Sequence, residues 1–311
     1  MIGSLPLFLN RYPDGELLAM KTILGVFPES YDRIVFAFLR ETERAFGAGD
    51  RIKRANNDRF PVETVILDHE TRGPAETVYE TVRQASISGE FAVRDSHGCI
   101  SVEKAPRGNF IAGLDLTQYA RPIENLRDKS FIVLNEQGQV LDVVEKHFCS
   151  DVISVGLYGF RSSEDYLTAY EHLEDPNYPI RKLFVSHIIS YLIGYMQRVF
   201  HSIRVSAFED WSTKASWMHV QKGHATCFLD LDGVCGCRPP IEPKVLNEIR
   251  QLDSQGMRFV CFTARGDDNG VEKYLAAEGI HVAAVVCNCS FSSVRCLAKN
   301  ADDIAELAWE L

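Results

Sequence analysis

Phe228-Leu229-Asp230-Leu231-Asp232-Gly233-Val234 is the stretch from which the architecture is most readily read. An apolar run from Ala225 leads into it, two aspartates two residues apart close it, and a glycine lets the chain turn. Strands buried on both faces of a parallel sheet read as near-continuous apolar runs. Carboxylates just past such a strand lie where open α/β sheets carry their chemistry. A βα series follows, with helices over 243–255 and 269–278 and strands over 258–262 and 282–287. A shorter strand over 294–298 and a helix from Asp302 close it.

Upstream, strand candidates at 33–39, 63–67, 90–93, 130–135 and 154–160 are short, rich in Val, Ile or Phe, and closed by turn residues. A helix over 74–84 opens at Gly73-Pro74, and an apolar helical stretch over 183–200 reads as mostly buried. The polar break Gln221-Lys222-Gly223-His224 separates the two series. The expected fold class is therefore α/β, with two Rossmann-like domains over 1–220 and 224–311.

A length of 311 residues suits two cores, and 46% hydrophobic with 24% charged residues is a globular composition. The net charge of −10 argues against a general grip on nucleic acid. It still allows phosphorylated small molecules held by backbone amides and metal ions. Without a long apolar run or a secretory leader, the expected location is the cytoplasm, with no membrane contact. Nine cysteines then read as thiols. The pairs Cys235/Cys237 and Cys287/Cys289 allow a zinc site, although one intervening residue is narrower than usual zinc spacing.

Asp230 and Asp232 can enter one turn, where the first attacks phosphorus and the second moves protons. Their paired charge calls for a cation, so Mg²⁺ is the expected cofactor. Thr263-Ala264-Arg265-Gly266 ends the next strand with a hydroxyl and amides suited to phosphate oxygens. The plain alternative is an Asp-rich turn that caps a strand. These two segments resemble the first motifs of haloacid-dehalogenase-like (HAD-like) phosphatases, particularly those encoded with capsule and surface-glycan genes. The resemblance implies Asp230 as nucleophile, Asp232 as general acid/base, both as metal ligands, and Thr263, Ala264 and Arg265 as phosphate contacts. The lysine that such proteins carry is absent from 290–294, where Arg295 or Lys299 could substitute. Asp302-Asp303 reads equally as a metal pair or as a helix start.

The segments Leu67–Val78, Phe91–His97, Val144-Glu145-Lys146, Val155–Phe160 and Phe208–Thr213, in that order, resemble sugar-phosphate nucleotidyltransferases of the glycosyltransferase-A-like fold. The likeness runs from Leu5 to Trp217. It implies that Asp95 and Asp210 hold Mg²⁺, that Lys146 approaches a sugar phosphate, and that Gly73 lies near the nucleotide. Gly156 and Tyr158 would lie near the sugar. The family's Gly-rich loop with its Arg and Pro-Lys has no counterpart in Gly3-Ser4-Leu5-Pro6-Leu7, and Ser212 stands where relatives carry glycine. The expected function is Mg²⁺-dependent HAD-type phosphatase chemistry beside a nucleotidyltransferase-like domain, active or impaired, acting on a phosphorylated sugar, polyol or nucleotide sugar in surface-carbohydrate or related metabolism. The competing expectation is a degenerate phosphosugar- or nucleotide-binding regulatory protein. A homo-oligomer is left open.

Overall fold

The computed structural model describes residues 6–12, 16–119, 123, 126–175, 182–213, 215–217, 220, 226–234, 241–254, 258–264, 268–280 and 282–286. The chain divides into two compact units, Met1–Ser212 and Thr213–Leu311.

In the first unit α1 (Leu18–Leu24) leads to β1 (Ile34–Leu39), then α2 (Arg40–Phe46), α3 (Ala48–Asn56), β2 (Val62–Leu67) and α4 (Pro74–Gln84). β1 and β2 form a two-stranded parallel sheet in register from Ile34↔Val62 to Leu39↔Leu67. Its α2 and α3 crossover is the connection that parallel neighbours require. A larger sheet follows, built from β3 (Phe91–Arg94), β4 (Gly98–Val102), β5 (Phe110–Asp115), β6 (Ser130–Leu134), β7 (Gln139–Glu145), β8 (Val152–Phe160) and β9 (Phe200–Asp210). The order is β3-β8-β5-β9-β7-β6, with β4 paired to β9. α5 (Ser163–Leu173) and α6 (Val185–Gly194) lie between β8 and β9 in sequence. α5 starts where the Ser162 side chain accepts the Asp165 N–H at 3.1 Å, a standard N-cap.

The expected strands and the 74–84 helix are present, but this sheet departs from a Rossmann-like plan. β3–β8, β8–β5, β9–β7 and β7–β6 are antiparallel, and only β5–β9 is parallel. The fold is mixed α/β because β4 to β7 follow one another without intervening α-helices. β4, β5, β7 and β9 were not expected as strands. The helix expected over 183–200 stops at Gly194. The chain then takes a positive φ of 54° at Gln197, and Phe200 begins β9. The apolar run thus joined the end of a helix to the start of a strand. The main core joins α4, α5 and α6 to the sheet through Tyr79, Phe91, Phe160, Tyr166, Ile188 and Phe200. The Phe160 ring stacks on Phe91 and meets Tyr166 and Phe200 edge-on.

The second unit contains β10 (Thr226–Asp230), a helical turn Leu231–Val234, α7 (Pro243–Ser254), β11 (Arg258–Phe262), α8 (Asp268–Ala277) and β12 (Val282–Val286). The strands are parallel, in the order β10-β11-β12. Leu229, Ile249, Phe259 and Leu275 lie in its core. The break at 221–224, the strand at 294–298 and the helix from Asp302 lie outside the described residues. Among the described residues no helix is long and apolar enough to cross a membrane. Cys99, Cys149, Cys227 and Cys261 are thiols rather than disulfides.

Phe160 is 1% exposed, and truncating a core aromatic costs roughly 3–5 kcal/mol. Phe160→Ala is expected to lower the unfolding free energy of the first unit by that order, whereas Tyr195→Ala, at a side chain 72% exposed, changes it little. Equilibrium unfolding measures both.

Candidate functional site

β3 ends in Arg94 and Asp95, and the two charges have opposite tasks. The Arg94 guanidinium donates to four backbone carbonyls: Thr22 at 3.1 Å, Val155 and Gly156 at 2.9 Å each, and Gly98 at 2.5 Å. It thereby joins α1, β8 and β4 to the end of β3. Burial lowers the Arg94 pKa, opposed by the neighbouring Asp95 charge.

The Asp95 backbone N–H donates to Gly156 O at 2.8 Å, and its carboxyl rests on the Gly156 backbone. Gly156 has φ +74°, and a Cβ placed there would lie 2.6 Å from Asp95 Oδ2. The family resemblance assigns Asp95 to Mg²⁺ and Gly156 to the sugar, and the fold brings the two residues into contact. Burial pushes the Asp95 carboxyl up, His97, Arg94 and Lys129 pull it down, and Glu145 adds to the upward shift. Tyr158, on the same strand as Gly156, is raised first by burial and then by the Asp95 charge.

Asp210 closes β9, where it pairs with Gly98 of β4. Trp211 is fully buried and anchors this end, its indole N–H donating to Ser96 O at 2.9 Å and its backbone N–H to His97 O at 2.9 Å. The Asp210 carboxylate accepts the Lys129 ammonium at 2.6 Å and the Ser212 N–H at 2.8 Å. Lys129 was missed from the sequence because it precedes β6 outside any motif. The Glu145 side chain accepts from the Ser130 and Ser186 hydroxyls at 2.6 Å each. Lys146 instead lies 3.9 Å from Asp128, over the Phe184 ring at 5.0 Å.

Gly73 and Asp95 line one cavity of about 850 Å³. A Cβ at Gly73 would meet Leu183 O at 2.6 Å, so this glycine permits close backbone packing. The α4 N-terminus is internally satisfied. Pro74 has no N–H, Ala75 donates to Leu183 O at 3.3 Å, and Glu76 and Thr77 donate to Gly73 O.

Among the described residues no group of three His, Cys, Asp or Glu side chains forms a metal-binding cluster. The donor set still fits Mg²⁺, which characteristically takes one or two protein carboxylates alongside phosphate oxygens and water. The Asp95 carboxyl is desolvated beside the cavity, and the Asp210 carboxylate is already neutralised by a cation, Lys129.

In the second unit Asp230 faces Phe262 across the β10–β11 pairing, which brings Thr263 beside the two aspartates. Asp230 Oδ1 accepts the Gly233 N–H at 3.2 Å. The Asp232 carboxylate accepts the Thr263 hydroxyl at 3.0 and 3.2 Å and the Ala264 N–H at 2.6 Å. Asp232, Thr263 and Ala264 are thus joined at one sheet mouth. Arg265, Gly266, Arg295, Lys299, Asp302, Asp303, Cys235, Cys237, Cys287 and Cys289 lie outside the described residues.

Substituting Gly156 by Ala forces a side chain into left-handed backbone and against Asp95. An expected loss of about 2–4 kcal/mol combines the backbone and overpacking costs. Gly138→Ala, at φ +75° with open space around it, should lose only about 1 kcal/mol. Thermal unfolding of the two variants measures the difference.

The raised Asp95 pKa has a definite sign in linkage. Between the ordinary value of 3.8 and the raised value the folded protein holds more protons than the unfolded chain, so stability falls as pH rises through that window. Asp95→Asn, melted in EDTA, is expected to match the wild type below pH 3.8 and to exceed it at neutral pH. A constant difference across pH would contradict this.

No protein-family model matches the chain, and no curated protein matches it. Solved structures do. The nucleoside-diphosphate-sugar pyrophosphorylase from Vibrio cholerae RC9 superposes with a TM-score of 0.58 at 18% identity, covering 70% of this chain and 92% of its own. A UDP-glucose pyrophosphorylase complexed with UDP-glucose gives 0.53 at 12% identity, covering 71% and 90%. The inositol-1-phosphate CTP transferase from T. maritima gives 0.52 at 12% identity, covering 69% and 83%. Over about 70% of its length, then, this chain has the mixed α/β fold of the sugar-phosphate nucleotidyltransferases.

Proposed function

We propose that the first unit binds a nucleoside triphosphate and a sugar or polyol phosphate beside Asp95 and joins them in nucleotide-sugar metabolism. The observation that carries this reading is the desolvated Asp95 carboxyl pressed on Gly156, within electrostatic reach of Lys129 and Glu145, in a fold shared with sugar nucleotidyltransferases. In the reaction a sugar-phosphate oxygen forms a bond to the α-phosphorus as the bond to the β-phosphate oxygen breaks, and pyrophosphate leaves. Asp95 and Asp210 would hold Mg²⁺, which supplies positive charge against the triphosphate. Lys129 offers a second positive charge, because an ammonium released from Asp210 can turn to a phosphate oxygen. Glu145 and Tyr158 shape the sugar side, and Lys146 would reach the sugar phosphate by leaving Asp128. Positioning and charge carry most of the catalysis in phosphoryl and nucleotidyl chemistry.

The second unit supports a separate phosphate-handling proposal of HAD-like type. Asp230 would attack phosphorus, Asp232 would protonate the leaving oxygen, and Thr263, Ala264 and Arg265 would hold phosphate oxygens. The link between Asp232 and the Thr263–Ala264 pair supports this. A binding protein without turnover is the competing reading, favoured by the α4 N-terminus, whose amides are already used.

Calorimetric titration of UTP and CTP with Mg²⁺ is expected to give binding weakened on the order of ten-fold or more in Asp95→Ala, the scale of a charged contact. Equal affinity in both proteins would remove the Asp95 site. Mg²⁺-dependent hydrolysis of p-nitrophenyl phosphate is expected to fall by roughly 10³-fold or more in Asp230→Asn if that residue is a nucleophile. Unchanged hydrolysis would remove the phosphatase proposal, and titration without pyrophosphate release would favour the binding protein.

A further inference from the structure

α3 carries Arg51 and Arg54 three residues apart, so the two guanidiniums share one face of the helix. Ile52, fully buried in a cluster with Met20, Ile23 and Phe38, ties the same helix to α1 and β1. A second cavity, about 820 Å³, opens against the arginine face. Its other wall is the segment ahead of α1, folded back by the Arg11↔Leu17 bridge and by the Tyr12 N–H bond to Glu16 O at 2.8 Å. That wall supplies a third guanidinium, Arg11, and an apolar floor of Leu9 and Leu17, 2% and 4% exposed. Among the described residues Glu16 is the one carboxylate that lines the recess, and Arg59 holds it in a bidentate pair at 2.8 and 3.0 Å.

Several exposed arginines elsewhere in this unit are matched to acids: Arg33 to Glu63, Arg40 to Asp68, and Arg198 to Asp165. Arg51 and Arg54 are not. Among the described residues neither has an ion-pair partner, and Arg54 Nε donates to the Asp50 backbone carbonyl at 3.2 Å. Like charges one turn apart repel, so the free protein carries an electrostatic cost that a bound anion removes. The arginines are thus gathered at one recess, over an apolar floor, with the local acid already neutralised.

We propose that this recess binds a small organic phosphate of at least two negative charges, its phosphate between Arg51 and Arg54 and its less polar body over Leu9 and Leu17. Guanidinium forks match phosphate oxygens in pairs, and their weak hydration lets them give up water for an anion more readily than an ammonium does. The volume lies within the range of about 300–1,000 Å³ typical of small-molecule sites, far more than a single phosphate ion fills. The net charge of −10 disfavours an extended polyanion, which would meet acidic surface beyond the recess, and favours a compact ligand. The recess shares no lining residue with the cavity of Gly73 and Asp95. Its ligand therefore stands independently of the nucleotidyl-transfer reading.

Phenylglyoxal labelling of the full chain, mapped by mass spectrometry, reads each arginine separately. Saturating UDP in EDTA is expected to slow labelling of Arg51 and Arg54 at least ten-fold. Arg161, exposed and outside both cavities, should label at an unchanged rate. Inorganic phosphate should need at least ten-fold higher concentration for the same protection, because it lacks a body to cover Leu9 and Leu17. Asp95→Ala should leave the protection intact, which separates this recess from the candidate site. In Arg51→Gln/Arg54→Gln, at two exposed positions, UDP protection of Arg11 should disappear while the melting temperature holds, and Arg51→Lys/Arg54→Lys should restore part of it. Labelling of Arg51 and Arg54 that UDP leaves unchanged would overturn the proposal. So would protection that vanishes in Asp95→Ala, or equal protection by phosphate and UDP at equal concentration, which would reduce the recess to a general ion contact.

Discussion

One buried guanidinium organises the first unit. Arg94 donates to carbonyls contributed by α1, β4 and β8, three segments far apart in sequence. An ionised donor makes a stronger bond than a neutral one, and at Gly156 it shares the carbonyl with the Asp95 N–H. The arrangement is stable only because the charge is answered nearby. Asp95 follows in sequence and supplies an opposite charge, so the residue that fixes the end of β3 also determines the electrostatics of the candidate site.

That coupling explains why Asp95 is costly in isolation. A desolvated carboxyl gains from Arg94, His97 and Lys129 but is opposed by burial and by Glu145. The remaining local charges are already committed: Lys129 to Asp210, and Glu145 to two serine hydroxyls. Under the proposed function, a divalent cation would relieve the acidic side of this balance, and a phosphate would give a displaced ammonium a new partner. The α4 N-terminus contributes little to anion binding, since its leading amides are spent on Leu183 and Gly73 carbonyls. Under the proposed function, charge exchange among side chains, rather than a helix terminus, would be the physical basis for recognising a phosphorylated ligand here.

The sequence disclosed those parts of the fold in which local pattern and tertiary role agree. Gly73-Pro74 opens α4 at the expected residue, and apolar runs locate β1, β2, β10, β11 and β12. β5, also a buried apolar run, escaped because Gly113 interrupts it, although Pro106-Arg107-Gly108-Asn109 marks a turn directly before it. β9 escaped for another reason: its burial follows pairing with β4, β5 and β7, so its exposed and buried positions do not alternate cleanly. Asp95 was legible because it ends a strand and Gly156 because it interrupts one. The Lys129–Asp210 pair spans sequence positions that only the assembled sheet brings together. No local pattern encodes such a contact.

The second unit reaches a similar balance by different means. Asp232 accepts the Thr263 hydroxyl and the Ala264 amide, the same donors that would serve phosphate oxygens. A carboxylate and a phosphate cannot both take those donors at full strength, so phosphate entry must turn Asp232 away from them. Asp230 instead accepts the Gly233 amide, so one of its oxygens is directed by the turn itself. The two aspartates, two residues apart, thus differ in environment through the donors each one meets: the Gly233 amide for Asp230, and the Thr263 hydroxyl and Ala264 amide for Asp232.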